Sequence, residues 1–111
     1  MTALKQSEAT FQRAVIDYAR ANNWRVAHFH DSRRQVRPGV MVGDKDAAGF
    51  PDLVMVRGEL LVIAELKAGR GRVRPEQEAW LRALWQVPGV TVRLWSPEDW
   101  ADIESTLRRR P

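Results

Sequence analysis

Asp52, Glu65 and Lys67 are the residues whose types and spacing could do chemistry. Asp52 opens an apolar run, Leu53 to Val56, and Glu65 lies near the end of a second, Leu60 to Leu66. Arg57-Gly58-Glu59 between them has the composition of a tight hairpin. An antiparallel return brings Asp52 back opposite the Glu65 region although the two are thirteen positions apart in sequence. Residues two apart on a strand share a face, so Glu65 and Lys67 project together. Leu66 turns to the core, its backbone carbonyl left near the carboxylates. Crowded carboxylates repel each other, and a hard divalent cation held by oxygen relieves the repulsion. A cation, a lysine and an in-line water meet the needs of phosphodiester hydrolysis, namely polarisation of the phosphate, a lowered water pKa and positive charge on crowded oxygens. Lys67 suits three roles that the sequence leaves open: orienting the water, assisting its deprotonation, or binding the phosphate. The plainer alternative is an edge salt bridge with no chemical significance.

Short elements must position these groups. A helix is expected from Ser7 to Asn22, capped by Ser7, with Phe11, Val15, Tyr18 and Ala19 on one stripe. Trp24 to Phe29 suits a strand, with Trp24, Val26 and His28 toward one side. Residues 31–48 show no period, contain Pro38 and carry mixed charge, and are expected to be a flexible or substrate-binding loop. After the hairpin, Pro75 starts a helix to about Gln86, with Glu76 and Glu78 near its positive end and Leu81, Leu84 and Trp80 or Trp85 packing it down. Pro88-Gly89 turns the chain into a strand, Val90 to Leu94. Ser96-Pro97-Glu98-Asp99 then starts a last helix with Trp100, Ile103 and Leu107 as its apolar stripe. The order α-β-β-β-α-β-α predicts an α/β fold with a mixed central sheet flanked by helices. The five tryptophans are expected mainly to pack.

At 111 residues the chain fits one domain, 1–111. Its 44% hydrophobic and 29% charged content suits a packed core. The absence of cysteine removes disulfides, thiolate zinc sites and cysteine nucleophiles. No stretch has the length and apolarity of a membrane span, so a cytoplasmic or nucleoid location is expected, with no membrane partner. Eighteen Lys and Arg against fourteen Asp and Glu give a formal charge of +4. Arginine, whose donor fork matches phosphate oxygens, supplies most of the cations. Arg33, Arg34 and Arg37 form one group in the expected loop, and Arg70, Arg72 and Arg74 follow Lys67, where they can bind phosphates flanking a cut. Arg108 to Arg110 form a third group, with a frayed tail as the plainer reading. His28 and His30 project to one side of a strand. A zinc site there would need Asp31 or Asp44, since no cysteine or further histidine exists.

The constellation resembles the PD-(D/E)XK nuclease superfamily, and within it the small viral-type replication-repair nuclease (VRR-NUC) domains. Pro51-Asp52 matches the proline-aspartate part of that signature and Glu65-Leu66-Lys67 the acidic-x-lysine part. Gly49-Phe50-Pro51-Asp52-Leu53 and Glu65-Leu66-Lys67-Ala68 are close to the fuller patterns. Glu8, in Ser7-Glu8-Ala9-Thr10-Phe11-Gln12, looks like the family's helical glutamate. Gln77, in Pro75-Glu76-Gln77-Glu78-Ala79-Trp80, looks like its glutamine on the helix after the lysine strand. The likeness runs from Glu8 to Leu94. It implies a restriction-endonuclease-like core in which Asp52, Glu65 and the Leu66 carbonyl bind Mg2+ or Mn2+. Glu8 would bind through water or help a second ion, and Gln77 would position Lys67 or the phosphate. It implies substrate contact or support of the metal shell for His28 and His30, for which a hydrogen-bonded surface histidine is the plainer reading. A helix-start carboxylate stabilised by the helix dipole is the plainer reading of Glu8, and a polar tie between helix and strand that of Gln77.

The activity expected is metal-dependent cleavage of DNA, selective for a branched or four-way structure because nothing resembles a base-reading helix, and carried out by a homodimer. Two other accounts compete. A nucleic-acid-binding module without catalysis explains the arginines but leaves Asp52 and Glu65 facing phosphate unneutralised. A structural subunit of a larger restriction or repair complex predicts no DNA affinity at Lys67 or residues 70–74.

Overall fold

In a computed structural model of the protein, residues 7–29, 34–37, 40–42 and 45–109 are described, for 34–37, 40–42 and 45 the backbone alone. His30, Asp31, Arg33, Asp44 and Arg110 lie outside the described residues, as do the side chains of Arg34 and Arg37.

The first helix, α1 (Glu8–Ala21), begins as its sequence predicts, the Thr10 amide donating to the Ser7 hydroxyl oxygen at 3.1 Å. Its buried stripe is Phe11, Val15, Ile16 and Ala19, with Tyr18 packed at the edge. Four strands form the main sheet: β1 (Arg25–His28), β4 (Leu53–Arg57), β5 (Leu60–Leu66) and β6 (Val90–Trp95), side by side in the order β1-β4-β5-β6. The first two pairings are antiparallel and β5 with β6 is parallel, as the helix inserted between them requires. The α/β class and the mixed, helix-flanked sheet are therefore those the sequence predicts.

The hairpin turns on two residues, since Arg57 still pairs with Leu60. Gly58 sits at the first central position with φ +61°, where a two-residue turn of type II′ needs glycine. One face of the sheet packs against α1 and α3 (Trp100–Leu107) in a core that includes Phe11, Trp24, Leu53, Met55, Leu66, Trp95 and Ile103. Strand alternation turns Ile63, Glu65 and Val92 to the opposite face, under α2 (Pro75–Trp85), where all three are buried.

Two expectations need correction. The segment read as a loop contains a second, two-stranded antiparallel ribbon, β2 (Arg34–Arg37) with β3 (Val40–Val42), and a short 3-10 turn at Lys45–Ala47. Backbone pairing overrides the missing alternation there. The other concerns α2, whose one buried side chain is Gln77, while Leu81, Leu84 and Trp80 are half-buried and Trp85 is 66% exposed. Val54 and Leu61 on the face that α2 covers are likewise half-buried, and Val56 is exposed. The helix shields the β5–β6 side of that face, and Trp85 points beyond its shelter instead of packing.

The turn end of the hairpin is tied down by a residue whose role the sequence did not suggest. Arg57 donates to the carbonyls of Asn22 and Leu107 at 2.9 and 3.1 Å, and its guanidinium lies 4.4 Å from the centre of the Trp24 ring. The Trp24 indole N–H also donates to Leu107 O at 2.8 Å. The ends of α1, α3 and the hairpin are thereby joined, where charged donors close helix carbonyls that would otherwise be unsatisfied. At the start of α3, Asp99 closes the box on Ser96 as its sequence predicts. No described helix is long and apolar enough to cross a membrane.

Candidate functional site

The open end of the hairpin carries the carboxylates. Leu53 pairs with Ala64, so one step outward Asp52 stands opposite Glu65, on the same face of the sheet. The Asp52 carboxylate accepts the Leu66 amide at 2.8 Å, which fixes it across the strand gap. In an extended strand the N–H and C=O of one residue lean to the same flank, so the Leu66 carbonyl is turned toward Asp52 as well. The Leu66 side chain is fully buried in the core. Glu65 and Lys67 share the other face, Nζ lying 3.5 Å from Glu65 Oε2.

Gln77 secures Glu65. It is the third residue of α2, and its Oε1 accepts the Arg74 amide at 2.9 Å, closing the helix start. That bond orients the amide with its NH2 toward the sheet, where it donates to Glu65 Oε2 at 2.5 Å. The helix-to-strand tie is therefore present, and it runs to the carboxylate. Gly49 lets α2 come this close. With φ +81°, it lies where a Cβ would meet Glu76 C and O and Gln77 N at 2.5 to 2.7 Å. Only glycine leaves room for the loop before Asp52 to pass the first turn of α2.

Glu65 is 1% exposed, and its Oε1 receives no hydrogen bond. Burial, then the charge and hydrogen-bonding proximity of the Asp52 carboxylate, push its pKa up from 4.5 to about 7, against the opposing pull of Lys67. Two carboxylates make such a contact by sharing either a proton or a cation. The donor set fits a hard cation: two carboxylates, one of whose buried oxygens is orphaned, and a neighbouring backbone carbonyl. Among the described residues, no group of three or more His, Cys, Asp and Glu side chains is gathered closely enough to hold a metal. The two acids thus stand as a pair.

The pair opens into a cleft of about 320 Å3 that also reaches Glu8, His28, Arg74 and the rings of Phe29 and Phe50. Glu8 heads α1 and is exposed. A Cβ on Gly71 would lie 3.4 Å from Lys67 Cδ and 3.9 Å from Glu8 Oε1, so the glutamate and the lysine approach one another across that glycine. Arg74 sits at the cleft with its Nε 3.6 Å from Glu76, while Arg70 and Arg72 are exposed on the loop after Lys67. The cleft thus joins the predicted Glu8, His28, Asp52, Glu65, Lys67, Arg74 and Gln77.

No protein-family model, curated protein or solved structure matches the chain. The fold speaks at a coarser level. Its element order and mixed sheet are consistent with the broad restriction-endonuclease-like topology, a breadth that includes nuclease-like α/β architectures without selecting one family.

The sequence did not draw attention to Phe29 and Phe50. Phe50 packs edge-on between Phe29 and Trp80, at centroid distances of 5.5 and 5.0 Å. Phe50 stood inside the Gly49-Phe50-Pro51-Asp52 motif, which was a usable signal. Phe29 gave none, because its place beside Asp52 depends on the pairing of β1 with β4.

Proposed function

We propose that this chain is a metal-dependent nuclease of the PD-(D/E)XK type, close to the VRR-NUC domains, that hydrolyses phosphodiester bonds of DNA. The observation that carries this reading is the pairing of buried Glu65, one of its oxygens unpartnered, with half-buried Asp52, and Lys67 beside them. A structural salt bridge would leave neither an orphaned oxygen nor two acids in contact at the floor of an open cleft.

Asp52, Glu65 and the Leu66 carbonyl would hold Mg2+ or Mn2+, with Glu8 at the margin. Such an ion supplies a Lewis acid for the phosphate and for water. The chain does the rest. The Leu66 amide and the Gln77 amide fix one carboxylate each, so the oxygens are aimed before substrate arrives. Lys67, whose Nζ lies 3.5 Å from Glu65 Oε2, would bring positive charge to the nonbridging oxygens of a phosphate bound in the cleft or hold the attacking water. Arg70, Arg72 and Arg74 hold flanking phosphates and set register without reading bases. Arg33, Arg34, Arg37, His28 and His30 are proposed as further contacts. Among the described residues no element is shaped to read bases, which favours selectivity for DNA structure, such as a branch, over selectivity for sequence. Two symmetric nicks require two copies, so the proposed working form is a homodimer.

The test is cleavage of labelled single-stranded, duplex, forked and four-way DNA with Mg2+, Mn2+ or chelator, beside Asp52→Ala and Lys67→Ala. The reading expects metal-dependent cleavage that both substitutions abolish while the fold persists. Cleavage indifferent to both rejects the site, and tight binding without cleavage favours a non-catalytic module. Sedimentation over a range of concentrations tests the dimer.

A further inference from the structure

The last β1–β4 pair joins His28 to Leu53. One step outward the Phe29 amide donates to the Asp52 carbonyl at 2.7 Å, extending the pairing past the strand ends. Residues directly opposite on antiparallel strands project to the same face. Phe29, Asp52 and Glu65 therefore form a row across three neighbouring strands on one face, at the mouth of one cleft. Neighbouring strands are about 4.8 Å apart, so the Phe29 ring begins one strand spacing from the first carboxylate.

Phe29 is 45% exposed. Phe50 meets it edge-on and is braced in turn by Trp80, an arrangement that holds Phe29 in place from one side. An apolar ring, backed by a second and left open beside acidic and basic groups, contributes little to the core.

We propose that Phe29 is a stacking platform for a base next to the cut, so that the enzyme selects DNA with an unpaired nucleotide at that position. This rests on the nuclease reading given above. In an intact duplex both faces of each base are covered by neighbours, and freeing one costs a few kcal/mol. In a single strand, flap or fork the face is already free, and stacking on an aromatic side chain favours it whatever the base. Phenylalanine offers a π-face and no hydrogen bond, so the preference is for unpaired structure and not for sequence.

The test compares wild type, Phe29→Ala and Phe29→Trp on flap, single-stranded and duplex DNA of one sequence. Cleavage is followed with Mg2+. Binding of the fluorescein-labelled single strand and duplex is followed by anisotropy with Ca2+, and an abasic residue is walked through the single strand. Wild type is expected to favour the unpaired substrates. Phe29→Ala should lower that preference about 10-fold in kcat/KM and in affinity, and Phe29→Trp should restore it. An abasic residue beside the cut should weaken wild type as much as Phe29→Ala does, and should add nothing in that variant. Equal losses on paired and unpaired DNA, or no loss, overturn the proposal. If wild type cuts no substrate the nuclease reading fails. The anisotropy arm then decides the stacking alone, upheld by selective loss of single-strand affinity in Phe29→Ala and overturned without it.

Discussion

At the Gly58 end of the β4–β5 hairpin, Arg57 finds the carbonyls of Asn22, Leu107 and Arg108 and the face of Trp24, and Trp24 shares the Leu107 carbonyl with it. At the open end, sixteen or so ångströms along the same two strands by ordinary strand rise, Glu65 is buried with one oxygen unpartnered and a second carboxylate against it. Charges satisfied by fixed dipoles hold three elements together at the first end. A carboxylate left short of a partner at the second is a cost that a bound cation would relieve. One hairpin thus separates holding the fold from holding the chemistry.

The widest gap between the two ends should appear in cleavage. Glu65→Gln and Asp52→Asn keep size and hydrogen-bonding shape while removing the charge that binds a cation. A Lewis acid contributes several kcal/mol to the transition state, so each variant should lose about a thousandfold or more in kcat with its circular dichroism unchanged. Lys67→Ala should lose about a hundredfold to a thousandfold. Retention of near wild-type rates in Glu65→Gln would erase the distinction between the ends.

Gly49→Ala should register in both stability and activity. The substitution forces a side chain into a left-handed conformation and against the backbone of Glu76 and Gln77. Strain and overpacking together should cost about 3 kcal/mol in a denaturant titration. The displaced Gln77 should also lower kcat in the molecules that still fold. A stability loss with kcat untouched would mean that Gln77 does not need its present position to hold Glu65.

Arg57→Ala belongs to the other end and should lower stability by about 2 kcal/mol, since it removes three hydrogen bonds from a charged donor, one of them exposed, and a cation–π contact. Its kcat per folded molecule should equal that of wild type. A fall in kcat at constant folded fraction would show the two ends to be coupled through the strands.

What the sequence disclosed follows the same division by range. The carboxylate pair was legible because a two-residue turn and a period of two determine, over fourteen residues, which side chains meet. The starts at Ser7, Pro75 and Ser96 were legible because caps act within one turn of helix. Phe29 was not, because its place beside Asp52 is set by pairing across 23 residues, for which no local pattern exists. Arg57 read as a turn residue because its partners lie on α1 and α3. Trp85 read as core because an apolar stripe predicts burial only if the partner face extends far enough. The β2–β3 ribbon escaped because Arg34-Gln35-Val36-Arg37 lacks the alternation of a half-buried strand.

The smallest expected effect is a dependence of stability on pH that only the open end should produce. In chelator, folded Glu65 keeps a proton that the unfolded chain releases above about pH 4.5. Its contribution is therefore full below that pH and is lost as pH rises through about 7. Between pH 6 and 7.5 the loss should be about 1 kcal/mol, read as a lower midpoint of urea unfolding. Glu65→Gln cannot release this proton, so it should flatten the profile and be the more stable protein at pH 7.5 while being the inactive one. Added Mg2+ should act in the opposite direction on wild type, raising the midpoint more at pH 7.5 than at pH 6, because the cation takes the place of the proton. Arg57→Ala should shift the whole profile downward without changing its slope. A pH slope equal in wild type and Glu65→Gln would mean that the carboxylate at the open end is not held short of a partner, and the contrast between the two ends would fail there.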